Sequence, residues 1–143
     1  GSSSEVFNTI GIFGNSALSG NLDLSGYPNV LNIDIKDNNL DSVTFASATS
    51  PVNGVNGDNN NFTSLDFTPL INNFSGIIKF EDNNINSITF PANNQVITRL
   101  DFSRNDLSSI DLSMLTGLSG IVHFDFNSFF FYFMKNYNCS RCR

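Results

Sequence analysis

Apolar and polar positions along the chain follow one template that recurs six times. In its clearest copy, apolar residues stand at positions 97, 100, 102, 107, 110 and 112, and an asparagine stands at position 105. The copies start at positions 7, 30, 52, 75, 97 and 119, and successive starts differ by 23, 22, 23, 22 and 22. A self-similarity of this length is typical of solenoids, in which stacked coils bury one continuous core. Gly57 is an exception, because it occupies an apolar slot of the third copy.

Each copy contains two short alternations of apolar and polar residues. In the clearest copy these are Leu100-Asp-Phe102 and Ile110-Asp-Leu112. Because successive side chains of a strand point to opposite faces, each alternation predicts an extended segment with its apolar side chains in the core. The connections after the second segment lack the length and periodicity of a regular helix, so we expect irregular or 3₁₀ turns there.

An asparagine separates the two extended segments in every copy. An inward amide satisfies backbone donors and acceptors where the chain turns, and a buried turn cannot leave such groups unpaired. We therefore interpret this column as structural. Its members are Asn15, Asn38, Asn60, Asn83, Asn105 and Asn127.

The shared pattern LxxLxLxxNxL resembles the leucine-rich repeat. Its continuation, NxLxxLDL at residues 105–112 and a variant at residues 60–67, is similar to the variety found in cell-surface and secreted proteins of Bacteroidetes-like bacteria. The resemblance implies a mainly β fold, counted as α/β by class convention. It implies a right-handed solenoid of about six coils, with a parallel concave sheet and little or no helix. It says little about function, since family members bind proteins, glycans and other ligands.

The chain divides into three predicted segments. Residues 1–6 resemble a tag or tether, residues 7–134 form the repeat solenoid, and residues 135–143 form a basic tail. No apolar run reaches transmembrane length, and we expect no membrane insertion. A secreted or lipid-anchored precursor leaves such a mature chain when its leader is removed.

Charge is distributed unevenly along the chain. All thirteen acidic residues lie at or before Asp125, whereas only Lys36, Lys79, Arg99 and Arg104 are basic in that region. An acidic solenoid argues against nucleic acid as a partner, because phosphate binding requires clustered Lys and Arg. It equally disfavours an anionic membrane surface, and it is also explained as a solubilising surface.

Outward side chains of the first extended segment line the concave sheet that solenoids use for binding. One predicted column, between the two core positions, consists of Gly11, Asp34, Asn56, Lys79, Asp101 and His123. The face is polar, mixed in charge and without an aromatic platform at its centre, which favours contact with a protein or a sugar. The candidate ligand-binding residues are Lys36, Asp58, Lys79, Glu81, Asp101, Arg104, His123 and Asp125.

One group of acidic residues on this face has two interpretations. Asp58, Glu81 and Asp82 bring oxygen ligands together on adjacent strands, which suits calcium. Lys79 offers the alternative of an ion-pair network, and the loop spacing of a dedicated cation site is missing. We therefore assign no metal site.

A second group, Asp101, His123 and Asp125, raises the question of catalysis. Carboxylates about 5 Å apart are what a retaining glycosidase needs. The chain has a single histidine, however, and no nucleophile elbow, metal-ligand spacing or glycine-rich phosphate loop. We expect neither an enzyme nor a bound cofactor.

The C-terminal end carries an aromatic run and two cysteines. Three aromatic residues fall outside the inward slots and are interface candidates, although filling the end of the core is an alternative. They are Phe130, Phe131 and Phe133. Cys139 and Cys142 form a CxxC that is half of a structural zinc site, and a local disulfide and two free thiols both remain open.

These features predict a non-catalytic recognition module of a cell-surface or secreted protein. It binds a protein or glycan, as in adhesion, through the concave sheet. The alternative is a structural spacer or assembly module, whose aromatic C-terminal coil contacts another copy or a neighbouring domain.

Overall fold

The computed structural model describes residues 9–129, which form a solenoid of stacked parallel coils. Ile10 pairs with Ile33, and Ile33 pairs with Val55, so the coils repeat at the spacing of the sequence template. The strands are β1 (Thr9–Gly11), β2 (Asn15–Asp23), β3 (Asn32–Asp34), β4 (Asn38–Thr44), β5 (Val52–Asn56), β6 (Ser64–Asp66), β7 (Phe74–Lys79), β8 (Ser87–Thr89), β9 (Ile97–Asp101) and β10 (Leu118–His123). The predicted mainly β solenoid is confirmed.

The first extended segments form one six-stranded parallel sheet in the order β1-β3-β5-β7-β9-β10. Its register stacks the same template position of every coil, because the apolar residues on either side must all face the core. The aligned outward positions are Gly11, Asp34, Asn56, Lys79, Asp101 and His123. The register therefore confirms the predicted alignment of this column, although the Asp101 side chain is almost completely buried.

The second extended segments form two smaller parallel pairs, β2 with β4 and β6 with β8. The fifth coil differs from the prediction, because residues 110–112 form no strand. Leu112 is nevertheless buried. The segment thus packs its apolar side chain into the core although it pairs with no strand among residues 9–129.

Helical structure within residues 9–129 is limited to one 3₁₀ turn, Thr68–Leu70. Pro69 stands at its start, where the missing N–H is not needed. This confirms the expectation of an almost helix-free fold with irregular or 3₁₀ connections. No helix in this part of the chain is long and apolar enough to cross a membrane.

Stacked phenylalanine rings run along the core from coil to coil. The ring centroids of Phe80 and Phe102 lie 5.8 Å apart, and those of Phe102 and Phe124 lie 6.0 Å apart. Both pairs are nearly parallel, with interplanar angles of 6° and 9°. Such pairs contribute about 0.5–1.5 kcal/mol each beyond their burial, so the same template slot stabilises neighbouring coils against each other.

The asparagine column forms a ladder of buried hydrogen bonds between coils. Asn105 Nδ2 donates to the carbonyl oxygens of Phe80, Phe102 and Ser103 at 2.8, 3.0 and 3.2 Å, and its Oδ1 accepts from Ile85 N at 2.9 Å. The same pattern recurs at Asn38, Asn60, Asn83 and Asn127. The structural interpretation of this column is confirmed for these five residues.

Several predictions concern residues outside the range 9–129. They are the tag or tether at residues 1–6, the interface candidates Phe130, Phe131 and Phe133, and the basic tail at residues 135–143 with Cys139 and Cys142.

Candidate ligand-binding face

We define the outer sheet face as the outward side chains of the six-stranded sheet together with those of the turn residues that follow each strand. This face carries the candidate residues. Lys79 Nζ lies 2.5 Å from Asp58 Oδ2 on the preceding coil. Asp58 Oδ1 also accepts a hydrogen bond from Glu81 N at 2.7 Å. Both paired side chains are mostly buried, at 23% and 16% exposure. Asp58 therefore links two neighbouring coils through its side chain.

Arg104 binds two carboxylates of the preceding coil. Its Nε and Nη2 donate to the two oxygens of Asp82 at 2.5 and 2.7 Å, and Nη2 also donates to Glu81 Oε1 at 2.6 Å. The hydrogen bonds from Arg104 lower the pKa of Asp82, and the same bonds raise the pKa of the guanidinium. The fork geometry holds the arginine in one orientation.

These contacts favour the ion-pair interpretation of the acidic group over the calcium interpretation. The carboxylates of Asp58, Glu81 and Asp82 are each paired with a cationic side chain. Within residues 9–129, no group of three His, Cys, Asp or Glu side chains is placed to hold a metal ion. Lys79 and Arg104 offset the repulsion of neighbouring acidic side chains.

Asp101 is a buried carboxylate with three partners. Its side chain is 1% exposed and accepts hydrogen bonds from Arg99 Nη2 at 2.7 Å and Ser103 N at 3.1 Å. His123 Nδ1 lies 3.3 Å from Asp101 Oδ2. Burial raises the pKa of Asp101, but the hydrogen bonds from Arg99, Ser103 and His123 together leave it below its ordinary value. Asp101 therefore orients Arg99 and His123 at the surface.

The remaining two candidates lie at the edges of this arrangement. Lys36 Nζ lies 3.3 Å from Asp34 Oδ2, and its ammonium group stands 5.5 Å from the centre of the exposed Phe13 ring. Asp125 is half-buried on the last described coil, where its carbonyl oxygen accepts from Arg104 N at 2.8 Å. The candidate residues thus lie on a single face of the coil stack, with Lys36 towards one end and Asp125 towards the other.

The turn residue before each ladder asparagine adopts a left-handed backbone. The φ angles are 72° at Gly14, 57° at Asp37, 56° at Asn59, 54° at Asp82, 54° at Arg104 and 57° at Phe126. Gly, Asn and Asp tolerate this conformation, whereas Arg and Phe adopt it rarely. The turn presents the Arg104 guanidinium and the Phe126 ring, which is 75% exposed, to solvent.

A row of three residues, each directly before a core position of its strand, was not predicted from the sequence. Ile77 and Ile121 both pair with Arg99, so the three lie side by side on β7, β9 and β10. Ile77 is 46% exposed and Ile121 is 54% exposed. The sequence could have indicated this row, because Ile77 lies two residues before Lys79 on the same strand and must therefore share its face.

Arg99 holds an unusual position between these isoleucines. Its side chain is 37% exposed, and the only hydrogen bond of that side chain within residues 9–129 is the one to Asp101. The Nε atom is buried without a partner among the same residues. The outer sheet face thus combines preorganised ion pairs with a row of two exposed aliphatic side chains and a guanidinium.

Comparison with known protein families, with curated proteins and with solved structures finds no match to this chain.

Proposed function

We propose that this chain is a non-catalytic recognition module that binds a protein or a glycan through the outer sheet face. The observation that carries the proposal is the row of Ile77, Arg99 and Ile121. Two exposed isoleucines beside a guanidinium gain free energy when a partner covers them, at roughly 0.8 kcal/mol for each buried CH₂ group. Arginine is also enriched among the residues that dominate binding energy in protein interfaces.

The ion pairs around this row supply specificity in the proposal. Lys79, Arg104 and their carboxylate partners are held in place before any ligand arrives, so little side-chain entropy is lost on binding. Charged groups at the rim of an interface mainly govern partner choice and association rate. In this proposal the aliphatic row provides most of the binding free energy, and the surrounding charges discriminate between partners.

We further propose that the coils are leucine-rich repeats of the kind found in cell-surface or secreted bacterial proteins, which places this module outside the cell. The regular period of the template and the asparagine ladder support this assignment.

The proposal is tested by screening the full chain against arrays of extracellular proteins and glycans. A variant with Ile77→Ser and Ile121→Ser removes the aliphatic row, and Val96→Ser is the matched control, because Val96 is 57% exposed and is not one of the three row residues. We expect at least one protein or glycan captured by the wild type and the control to be lost from the double variant. Retention of every ligand by the double variant would contradict binding through this row.

An assembly module is the second candidate, and the exposed ring of Phe126 on the last described coil favours it. In this proposal the aromatic C-terminal coil contacts another copy or a neighbouring domain. Light scattering over a concentration range tests the wild type against a variant in which Phe126, Phe130, Phe131 and Phe133 are changed to Ser. A concentration-dependent dimer that is lost in the variant supports assembly, whereas a monomer in both removes self-association.

A further inference from the structure

A pocket of about 360 Å³ opens between the connecting loops of three successive coils. Ile71 and Asn72 come from the loop after β6, Asn93 and Asn94 from the loop after β8, and Met114 and Thr116 from the following coil. Its volume lies in the range of small-molecule sites. None of the lining residues belongs to the outer sheet face.

Backbone hydrogen bonds between coils define the shape of this pocket. Asn72 N donates to Ala92 O at 3.1 Å, and Asn93 N donates to Met114 O at 3.0 Å. Close approach of the loops needs Gly117, because a Cβ there would stand 2.1 Å from Gln95 O. The pocket walls are thus part of the coil stack.

Asn93 forms the floor of the pocket. It is 2% exposed, whereas Ile71, Asn72, Asn94, Met114 and Thr116 are all exposed. Its Nδ2 donates to Phe74 O at 2.9 Å, which fixes the orientation of the amide. Its Oδ1 is buried and has no hydrogen-bond partner within residues 9–129. A buried acceptor without a donor is unfavourable, so a ligand that supplies a donor to this atom is stabilised. The atom is closed to solvent in this structure, and a ligand reaches it only when the exposed side chains of the wall move aside.

The side chains of the pocket walls determine which kind of ligand fits. Ile71 is 61% exposed and Met114 is 46% exposed, so they form an apolar wall. The amides of Asn72 and Asn94 and the hydroxyl of Thr116 provide polar groups around it. No charged side chain is among the lining residues. The combination suits a neutral molecule that has both hydroxyl groups and an apolar C–H face.

We infer that this pocket binds a neutral sugar residue, as a free saccharide or as part of a glycan. The C–H face of the ring packs on Ile71 and Met114, and one hydroxyl group donates to Asn93 Oδ1. The side-chain amides of Asn72 and Asn94 bond to other hydroxyl groups. This site is separate from the outer sheet face, and its existence does not depend on the function proposed for that face.

The test uses the ¹⁵N-labelled full chain and follows the side-chain amide signals of Asn72, Asn93 and Asn94 by NMR. Glucose, galactose, mannose and N-acetylglucosamine are titrated singly and then as short oligosaccharides. Glucuronic acid tests the preference for a neutral ring, and glycerol tests for an effect of hydroxyl groups alone. We expect saturable shifts with at least one neutral sugar, and a stronger response to its oligosaccharide indicates a glycan rather than a free saccharide as the ligand.

Two lysine variants show whether sugar binding takes place in the pocket. Met114→Lys places a long charged side chain in the pocket, and Val96→Lys adds the same charge at an exposed position that does not line it. We expect Met114→Lys to weaken sugar binding by at least about tenfold, a difference of 1.4 kcal/mol in binding free energy. Val96→Lys and the Ile77→Ser/Ile121→Ser variant retain it.

Three outcomes overturn the inference. They are the absence of saturable shifts with every neutral sugar and oligosaccharide, binding that Met114→Lys leaves unchanged, and a glycerol response equal to that of the sugars. Sugar binding that persists in the Ile77→Ser/Ile121→Ser variant separates this site from the outer sheet face, so either proposal can fail without the other.

Discussion

Gly57 and Phe80 fill one template slot together across two neighbouring coils. A Cβ on Gly57 would stand 2.3 Å from Cε1 and 2.6 Å from Cδ1 of Phe80. Phe80 is completely buried and contacts the rings of Phe62, Phe67 and Phe102. The glycine that interrupts the apolar pattern of the third copy therefore makes room for the bulky ring of the fourth.

Gly57→Ala is expected to destabilise the protein by about 1–3 kcal/mol, because the methyl group forces the Phe80 ring out of a tightly packed position. Urea denaturation followed by circular dichroism measures the change. Gly26→Ala is the control, since a Cβ at Gly26 meets no atom within 4 Å, and we expect its effect to stay within about 0.5 kcal/mol. Adding Phe80→Leu to Gly57→Ala should cost less than the sum of the single changes. Simple additivity would show that the two sites are independent.

The coil architecture follows from features that can be read directly from the sequence. A regular period and two alternations per copy give the strands, and the need to bury every apolar slot gives the register. Asn105 was predictable for the same reason, because a buried turn needs a side chain that both donates and accepts. These properties are local, and each coil repeats them.

The details of the binding face are less predictable, because they depend on contacts between coils that the repeat pattern does not specify. Ile77 and Ile121 occupy outward slots, but their apolar character resembles that of the core residues beside them. Asn93 lies in a connecting loop without a repeat, so its role in the pocket floor depends on three loops at once. The left-handed turn at Arg104 carries no signal in the residue type, since arginine rarely adopts that conformation.

Asn105→Ala is expected to cost about 1–3 kcal/mol, because the buried Ile85 N–H is left without a partner. In this variant Ile85 N–H loses its hydrogen bond, whereas the carbonyl oxygens of Phe80, Phe102 and Ser103 each lose one donor and keep another. Asn84→Ala serves as the control, because Asn84 is exposed and its backbone N–H bond to Phe62 O is unaffected. Equal denaturation midpoints for the two variants would contradict a structural role for the ladder.

Phe126→Asn is expected to stabilise the protein by up to about 1 kcal/mol, because asparagine tolerates the left-handed backbone that phenylalanine adopts at a cost. The ring is 75% exposed, so little packing is lost with it. Val96→Asn makes a similar exposed apolar-to-amide change at a residue without a positive φ and should give no such gain. Thermal unfolding of the two variants and the wild type measures the difference. A loss of stability in Phe126→Asn would mean that the ring makes contacts that outweigh the backbone strain.

Charge reversal on the outer sheet face tests whether ligand binding depends on the charges around the aliphatic row. Lys79→Glu and Arg104→Glu place additional negative charge beside Asp58, Glu81 and Asp82. We expect the double variant to lose binding to any ligand captured by this face and to keep the assembly state of the wild type. The stability cost should shrink as salt screens the repulsion, which a denaturation series at rising ionic strength measures. Unchanged ligand binding would show that the ion pairs stabilise the fold but do not contribute to binding.

Asp101→Asn is expected to change how stability depends on pH. The pKa of Asp101 is lowered in the folded chain because the hydrogen bonds from Arg99, Ser103 and His123 outweigh the effect of burial. A depressed carboxyl pKa contributes stability that is fully present above the unfolded value of about 3.9, and this contribution is lost as pH falls through the folded pKa. The wild type should therefore exceed Asp101→Asn in stability at neutral pH, and the difference should shrink below about pH 4. Urea midpoints from pH 7 to pH 2 measure it, and a difference that stays constant across this range would show that the Asp101 charge does not stabilise the fold.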